Sequence, residues 1–289
     1  MKTLFVYNKK AGNKFQSTLV DEIKAHLPCD FQSEFIEIQK FDAFKTVDFE
    51  CLVAIGGDGT VNTVAKRACI EKKILAIIPK GSGDGLARFL GLTKNIATDV
   101  KTILTGHKIQ IDTADVSDHF FVNVAGTGFE AEVADTFDKA GIRGILGYFK
   151  TIVKLFYHKQ EEYVSLTLSN TKIKLPFFSL SIANGNQWGN NFEIASKADL
   201  QDGLLEIAIM RKPKWYQIPY LILFLKNKRK KSPLITYYKV NKVDIEHKAE
   251  CWHIDGEPIQ LKGKKTVQIH PKSLTIIVPH GKKEENAKT

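Results

Sequence analysis

Apolar residues run unbroken through residues 51–55 (CLVAI) and 74–78 (ILAII), with no polar position on either face. A strand of that kind is buried on both sides, as in a parallel sheet covered by helices. Residues 3–7 form a similar short run, and from 16 to 27 the apolar positions recur at helical spacing. Behind CLVAI, Val61, Val64, Ala65, Ala68 and Cys69 fall at i, i+3, i+4, i+7 and i+8, one face of a helix. ILAII stops at Pro79 and the loop KGSGDG; helix resumes over 86–90 and again over 96–104, where Gly106 reads as the cap. This alternation predicts an α/β domain with a parallel sheet over residues 1–110.

From Lys108 onward the texture changes to short runs rich in β-branched and aromatic residues: FFVNVAG, VSLTL, FFSLSI, LLEIAIM, TVQIH and LTIIV. They predict a mostly antiparallel β-rich domain over 111–280, interrupted by helical insertions near 144–156 and 215–228. Residues 281–289 read as a polar tail.

The chain's 289 residues and 43% hydrophobic content suffice for a core in each of two domains. No secretory pattern opens the sequence, and no stretch is long enough to span a bilayer. The four cysteines, Cys29, Cys51, Cys69 and Cys251, have no paired metal spacing, which fits a reducing cytoplasm. The net charge of +10 calls for an anionic partner. Much of it lies at 226–231 (KNKRKK) and after Pro279, and no RNA-binding aromatic signature or zinc spacing accompanies it, so nucleic acid is not expected.

Two glycine-rich loops carry the first chemistry. Gly56, Gly57, Asp58, Gly59 and Thr60 follow one buried strand and precede a helix; Gly81, Ser82, Gly83, Asp84 and Gly85 follow the next strand in the same way. Loops at the carboxyl ends of parallel strands line ligand crevices, and glycines let backbone N–H groups approach phosphate oxygens. Neither loop ends in GK[ST], and neither has the dinucleotide spacing. Late in the chain, Asp255 and Glu257 flank Gly256 in HIDGEP. DG is a common hairpin turn, and phosphoryl transfer also needs carboxylates at such a place, for metal and for the attacking hydroxyl.

In its ordered motifs the sequence resembles the diacylglycerol kinase catalytic family, which includes bacterial lipid kinases, sphingosine kinases and ceramide kinases. The motifs are NKKAGN, GGDGTVN, PKGSGDGLAR, GTGFEAEV, ADLQDGLLEI and HIDGEP, spread over nearly the whole chain. The resemblance implies a nucleotide-binding first domain, a β-sandwich second domain, an active site in the cleft between them, and ATP with Mg2+ as cofactors. It implies that Asn8, Gly12, Gly56, Gly57, Asp58, Gly59, Thr60, Val61 and Asn62 line the nucleotide pocket and that Ser82 meets the phosphates. Glu257 is then the expected general base, with Asp58 and Asp255 organising magnesium. Asp199, Asp202 and Leu204 map onto a structural metal loop, where oxygen donors suit a hard cation. Arg143 falls where sphingosine kinases place a phosphate-contacting arginine; Arg88, in the second loop, has no assigned role. Two positions depart from the family pattern: Asp84 stands where Asn is usual, adding a charge near the phosphates, and Glu130 stands where Asp is commoner.

The expected function is ATP-dependent phosphorylation of a membrane-lipid hydroxyl, on diacylglycerol or a sphingoid lipid, by a cytoplasmic enzyme peripheral at the inner membrane surface. The segment KWYQIPYLILFLKNKRKK fits either an interfacial helix or a core helix with a basic end. A homodimer is the assembly this reading keeps open. The alternatives are an NAD kinase-like phosphotransferase, which shares GGDGT, and a catalytically silent lipid- or nucleotide-binding protein.

Overall fold

The structure is a computed structural model that describes residues 1–9, 18–140, 145–169, 171–189, 192–226 and 232–280. Gly12, Arg143, the run 227–231 and the tail 281–289, all singled out above, lie outside the described residues. The chain divides into two compact units: residues 1–112 with 272–289, and 113–271. The expected second domain ran on to residue 280; residues 272–280 instead pack with the first unit.

In the first unit the order is β1 (Thr3–Tyr7), α1 (Leu19–Ala25), β2 (Ser33–Glu37), α2 (Ile38–Phe41), β3 (Cys51–Gly56), α3 (Asp58–Ile70), β4 (Ile74–Pro79), α4 (Gly85–Phe89) and α5 (Ile96–Thr105). The parallel sheet runs β2-β1-β3-β4. Every residue of β3 is buried, as its unbroken apolar run requires. Val61, Val64, Ala65 and Ala68 form the buried face of α3. One core cluster joins Phe5, Val53, Ile55, Ala76 and Ile78 to Ile23 of α1 and Ile96, Val100 and Ile103 of α5. The chain leaves β1 in one direction toward β2 and in the other toward β3, so the switch point of this sheet lies between β1 and β3.

The second unit contains β5 (His107–Val116, which begins in the first unit), β6 (His119–Phe121), β7 (Val124–Gly128), α6 (Phe129–Ala140), α7 (Ile145–His158), β8 (Glu162–Leu168), β9 (Thr171–Phe177), β10 (Ser179–Ala183), β11 (Gln187–Gly189), β12 (Phe192–Glu193) and β13 (Leu205–Met210). A 3-10 turn (Trp215–Gln217), α8 (Ile218–Lys226), β14 (Ile235–Val240), β15 (Lys242–Glu246), β16 (Cys251–Ile254), β17 (Glu257–Gln260) and β18 (Lys265–Val278) complete the chain. One sheet is antiparallel throughout, in the order β14-β13-β10-β7-β16-β17. It faces a second sheet containing β5, β8, β15 and the first half of β18 across a core of Val116, Val164, Leu180, Ile207, Ile245, Trp252 and Val267. This is the expected β-sandwich. The last half of β18 returns to the first unit and pairs in parallel with β4, Thr275 opposite Ile74.

Candidate active site

In the first unit the two glycine loops are fastened together by one carboxylate. Asp58 opens α3, and its Oδ1 and Oδ2 accept hydrogen bonds from the amides of Gly85 and Asp84, both at 2.9 Å. The loops touch backbone to backbone: a Cβ built on Gly57 would lie 3.1 Å from the Gly81 Cα, and one on Gly81 only 2.5 Å from the Gly57 Cα. Glycine is needed at both positions for this approach, because any side chain would separate the loops.

Asp84, the extra negative charge of the second loop, is a turn builder. It has left-handed dihedrals (φ 49°, ψ 47°), is 2% exposed, and its Oδ1 accepts from the amide of Gly81 at 3.0 Å. Its Oδ2 pairs with Lys94 Nζ at 2.7 Å, and Lys94 also donates to the Gly81 carbonyl. A buried carboxylate persists only when paired and hydrogen-bonded; Lys94 supplies the opposite charge and the Gly81 amide the hydrogen bond. The amides of Gly81, Asp84 and Gly85 are therefore occupied by carboxylates of the protein itself, and they are not the phosphate cradle expected of this loop. Ser82 stands exposed at its tip. Arg88 donates from Nε to the Gly83 carbonyl at 2.9 Å and closes the loop from below.

Asn8 follows β1 and stands beside the first loop across the switch point. Its amide donates to the Ile55 carbonyl at 3.2 Å, and its Nδ2 donates to Thr60 Oγ1 at 3.4 Å. A side chain on Gly56 would collide with that same hydroxyl at 2.4 Å. Val61, expected in the pocket, points into the core at 5% exposure; only its backbone can face a nucleotide. Gly57, Asp58, Gly59 and Asn62 are half-buried at the loop and the first turn of α3.

In the second unit, Asp255 and Gly256 form a two-residue hairpin between β16 and β17, with φ values of 46° and 88°, both positive as in a type I′ turn. The Asp255 carboxylate is turned inward and 7% exposed, its Oδ1 accepting from the amides of Asn123 and Val124 at 2.9 and 3.0 Å and its Oδ2 from that of Val122 at 3.0 Å. Three amides leave it little capacity to organise magnesium, the role expected of it; it fixes the turn instead. Glu257, the first residue of β17, is exposed beyond that turn.

Pattern reading missed a polar cluster on the outer face of the antiparallel sheet. Ser181, Gly126 and His253 stand in register on three adjacent strands, and Glu130 from the first turn of α6 reaches over them. Its Oε1 accepts from Ser181 Oγ at 2.9 Å and lies 3.2 Å from His253 Nε2; its Oε2 accepts from Ser179 Oγ at 2.7 Å. A Cβ on Gly126 would fall 2.2 Å from Glu130 Oε1, so the missing side chain makes room for the carboxylate. The signal was present as alternation in FFSLSIA, where Ser179 and Ser181 share one face while Leu180 and Ile182 face the core.

The expected structural metal loop does not fit a metal as it stands. Asp199 and Asp202 each accept from the amide two residues on, those of Gln201 and Leu204, both at 3.0 Å. The other oxygen of Asp202 pairs with Lys239 Nζ at 2.8 Å, so an ammonium sits where a cation would be held. Lys239 lies directly across from Glu206, which is 4% exposed and whose carboxyl is pushed above its usual range by burial, against the pull of nearby lysines. Among the described residues no group of three or more His, Cys, Asp or Glu side chains could hold a metal ion.

Comparison with known proteins agrees with this anatomy. Residues 2–116 match the diacylglycerol kinase catalytic domain, and 123–278 match the YegS C-terminal NAD kinase beta sandwich-like domain. A Chromohalobacter salexigens protein named "Probable lipid kinase YegS-like" is 28% identical over 239 residues, 80% of this chain and 76% of its own. A diacylglycerol kinase of Bacillus subtilis is 24% identical, covering 82% of this chain and 80% of its own. The crystal structure of a diacylglycerol kinase from Bacillus anthracis has the same fold, with a TM-score of 0.72 at 22% identity over 96% of this chain and 97% of that one. With both domain models matched in order, the chain belongs to the diacylglycerol kinase catalytic family and is a lipid kinase.

Proposed function

We propose that this lipid kinase transfers the terminal phosphoryl group of ATP to the hydroxyl of a membrane lipid, with diacylglycerol and sphingoid lipids as the acceptor class. The observation that carries the reading is the pair of glycine loops clamped by Asp58 beside the switch point of a parallel sheet. Phosphoryl transfer asks for positioning and charge stabilisation more than for covalent chemistry, and a rigid double loop supplies positioning. The N-terminal end of α3, with the positive end of its dipole, and the hydroxyl of Ser82 would meet phosphate oxygens.

Magnesium bound with a nucleotide takes one or two carboxylates and completes its shell with phosphate and water, so no all-protein cage is required. Asp58 is the carboxylate that would hold it, and the ion would neutralise charge on the β and γ oxygens. Glu257 is the general base of this reading: it orients the acceptor hydroxyl and accepts its proton. Asp255 keeps the turn beneath Glu257 in one conformation.

The test is to incubate the protein with γ-labelled ATP, a mixed lipid extract and NAD+ and to identify labelled products by mass spectrometry. Label on a lipid alcohol is expected, with Glu257→Gln losing turnover while ATP affinity is retained. Label on NAD+ instead, or ATP left unconsumed with every acceptor, would overturn the reading.

A further inference from the structure

Helix α8 and the 3-10 turn before it have two apolar faces, and only one is buried. Leu221, Phe224 and Leu225 pack with Val124, Phe178, Ala208 and Met210 on the outer face of the antiparallel sheet. On the other side Trp215 is 74% exposed, Tyr216 56%, Tyr220 37%, Ile222 43% and Leu223 56%. These are five of the ten large hydrophobic side chains exposed among the described residues, gathered within nine positions. Single exposed apolar residues are ordinary; a cluster of this kind marks a contact surface.

The charges around the patch choose its partner. From Arg211 to Lys226 the sequence carries four Lys or Arg and no Asp or Glu. Lys214 and Lys226, exposed at the two ends of the patch, belong to that set, and Lys214 Nζ lies 5.8 Å from the centre of the Tyr216 ring. A second copy docked here would bring two such cationic surfaces together, which like-charge repulsion opposes. Amphipathic rings beside aliphatic tips, framed by cations, match the headgroup layer of an anionic bilayer, where Trp and Tyr sit at the interface and Lys and Arg meet acidic lipid. The described helix is too short to cross a membrane, so it would lie in the interface.

We infer that the face formed by Trp215, Tyr216, Tyr220, Ile222 and Leu223 seats the enzyme on anionic membrane. The inference rests on the reading that the acceptor is a membrane lipid, and it names the surface by which the enzyme reaches it. The patch is anchored from behind by the buried face of α8, so it can insert without disturbing the core.

The experiment is vesicle sedimentation with the full chain, comparing phosphatidylcholine alone with phosphatidylcholine mixed with phosphatidylglycerol. Wild type should bind the anionic vesicles at least tenfold more tightly than the neutral ones. The double variant Trp215→Ser/Leu223→Ser should lose tenfold or more on anionic vesicles, and Lys214→Gln/Lys226→Gln should lose part of the preference for charge. Both variants alter exposed positions and should melt with wild type. Wild-type affinity retained by the serine variant overturns the inference, as does a concentration-dependent dimer that only that variant abolishes. Phosphorylation of a short-chain, monomeric acceptor should be the same in wild type and in both variants. Absence of kinase activity on every acceptor would count against the proposed reaction, while the sedimentation result would still decide the docking face.

Discussion

Replacing Asp58 by Asn should damage the nucleotide site through its architecture as well as its charge. Each carboxylate oxygen accepts one amide of the second loop at 2.9 Å, so the side chain serves as a two-pronged acceptor. Asn keeps one oxygen and presents an NH2 group to the other N–H, setting donor against donor. Losing a hydrogen bond to a charged acceptor and stranding a part-buried donor costs about 1–3 kcal/mol, or roughly 5- to 150-fold in an equilibrium. The loop has little room to adjust, because Gly81 and Gly57 are already in backbone contact and a Cβ on Gly83 would lie 2.9 Å from Asp58 Oδ2. Asp58→Asn should therefore lower the denaturant midpoint and weaken ATP binding in calorimetry, besides slowing turnover. Glu257→Gln, at an exposed strand start, is the control that should slow turnover while leaving midpoint and ATP affinity intact. If Asp58→Asn matched that control, with stability and affinity unchanged, the clamp would have no energetic weight and the reasoning would fail.

Asp255→Asn should destabilise by about 1–3 kcal/mol through lost amide acceptors, since Asn tolerates the left-handed backbone at φ 46° and strain is thereby kept out of the comparison; an unchanged urea midpoint would contradict the inward-facing role. Lys94→Met should destabilise by about 1–3 kcal/mol by leaving Asp84 buried without its cation, less than a fully buried pair because Lys94 is partly exposed. Asp84→Asn/Lys94→Met should recover most of that loss in thermal melts, and a double variant as weak as the single one would refute the pairing. Wild-type melting should be indifferent to chelator, because Lys239 already neutralises Asp202; a fall in Tm on adding EDTA would restore the metal loop.

The elements legible in the sequence were those whose partners are local or whose burial is complete. CLVAI and ILAII became β3 and β4 because a strand covered on both faces leaves no polar position, and the spacing from Val61 to Ala68 became the buried face of α3. FFVNVAG reads as one strand but is broken between β6 and β7, where Val122 and Asn123 donate their amides to Asp255. That partner is more than a hundred residues away, beyond any window of periodicity. TVQIH and LTIIV read as two strands and form one, β18, whose exposed centre at His270, Pro271 and Lys272 interrupts the pattern without ending the strand. Helix α6 escaped notice because five of its twelve residues are charged. Two of those charges, Glu130 and Glu132, lie in the first turn, where they complement the helix dipole.

For the site, the sequence reveals where carboxylates stand but not what their lone pairs face. Asp255 and Asp202 both read as metal-organising groups, yet Asp255 is turned onto three backbone amides and Asp202 onto one amide and a lysine, whereas Asp58 accepts a single amide on each oxygen. Asp84 shows why this matters for an anionic substrate. As a lone charge in a phosphate-binding loop it would repel the nucleotide, and the substitution would look damaging. Lys94, which follows α4, reaches back to the same carboxylate, leaving the pair neutral overall while Oδ1 still shapes the turn through Gly81. The repulsion is thereby offset locally, and the loop keeps the geometry that Asp58 clamps. A change that seems to oppose catalysis when one position is considered alone is compatible with it once its compensating charge, outside the motif, is included.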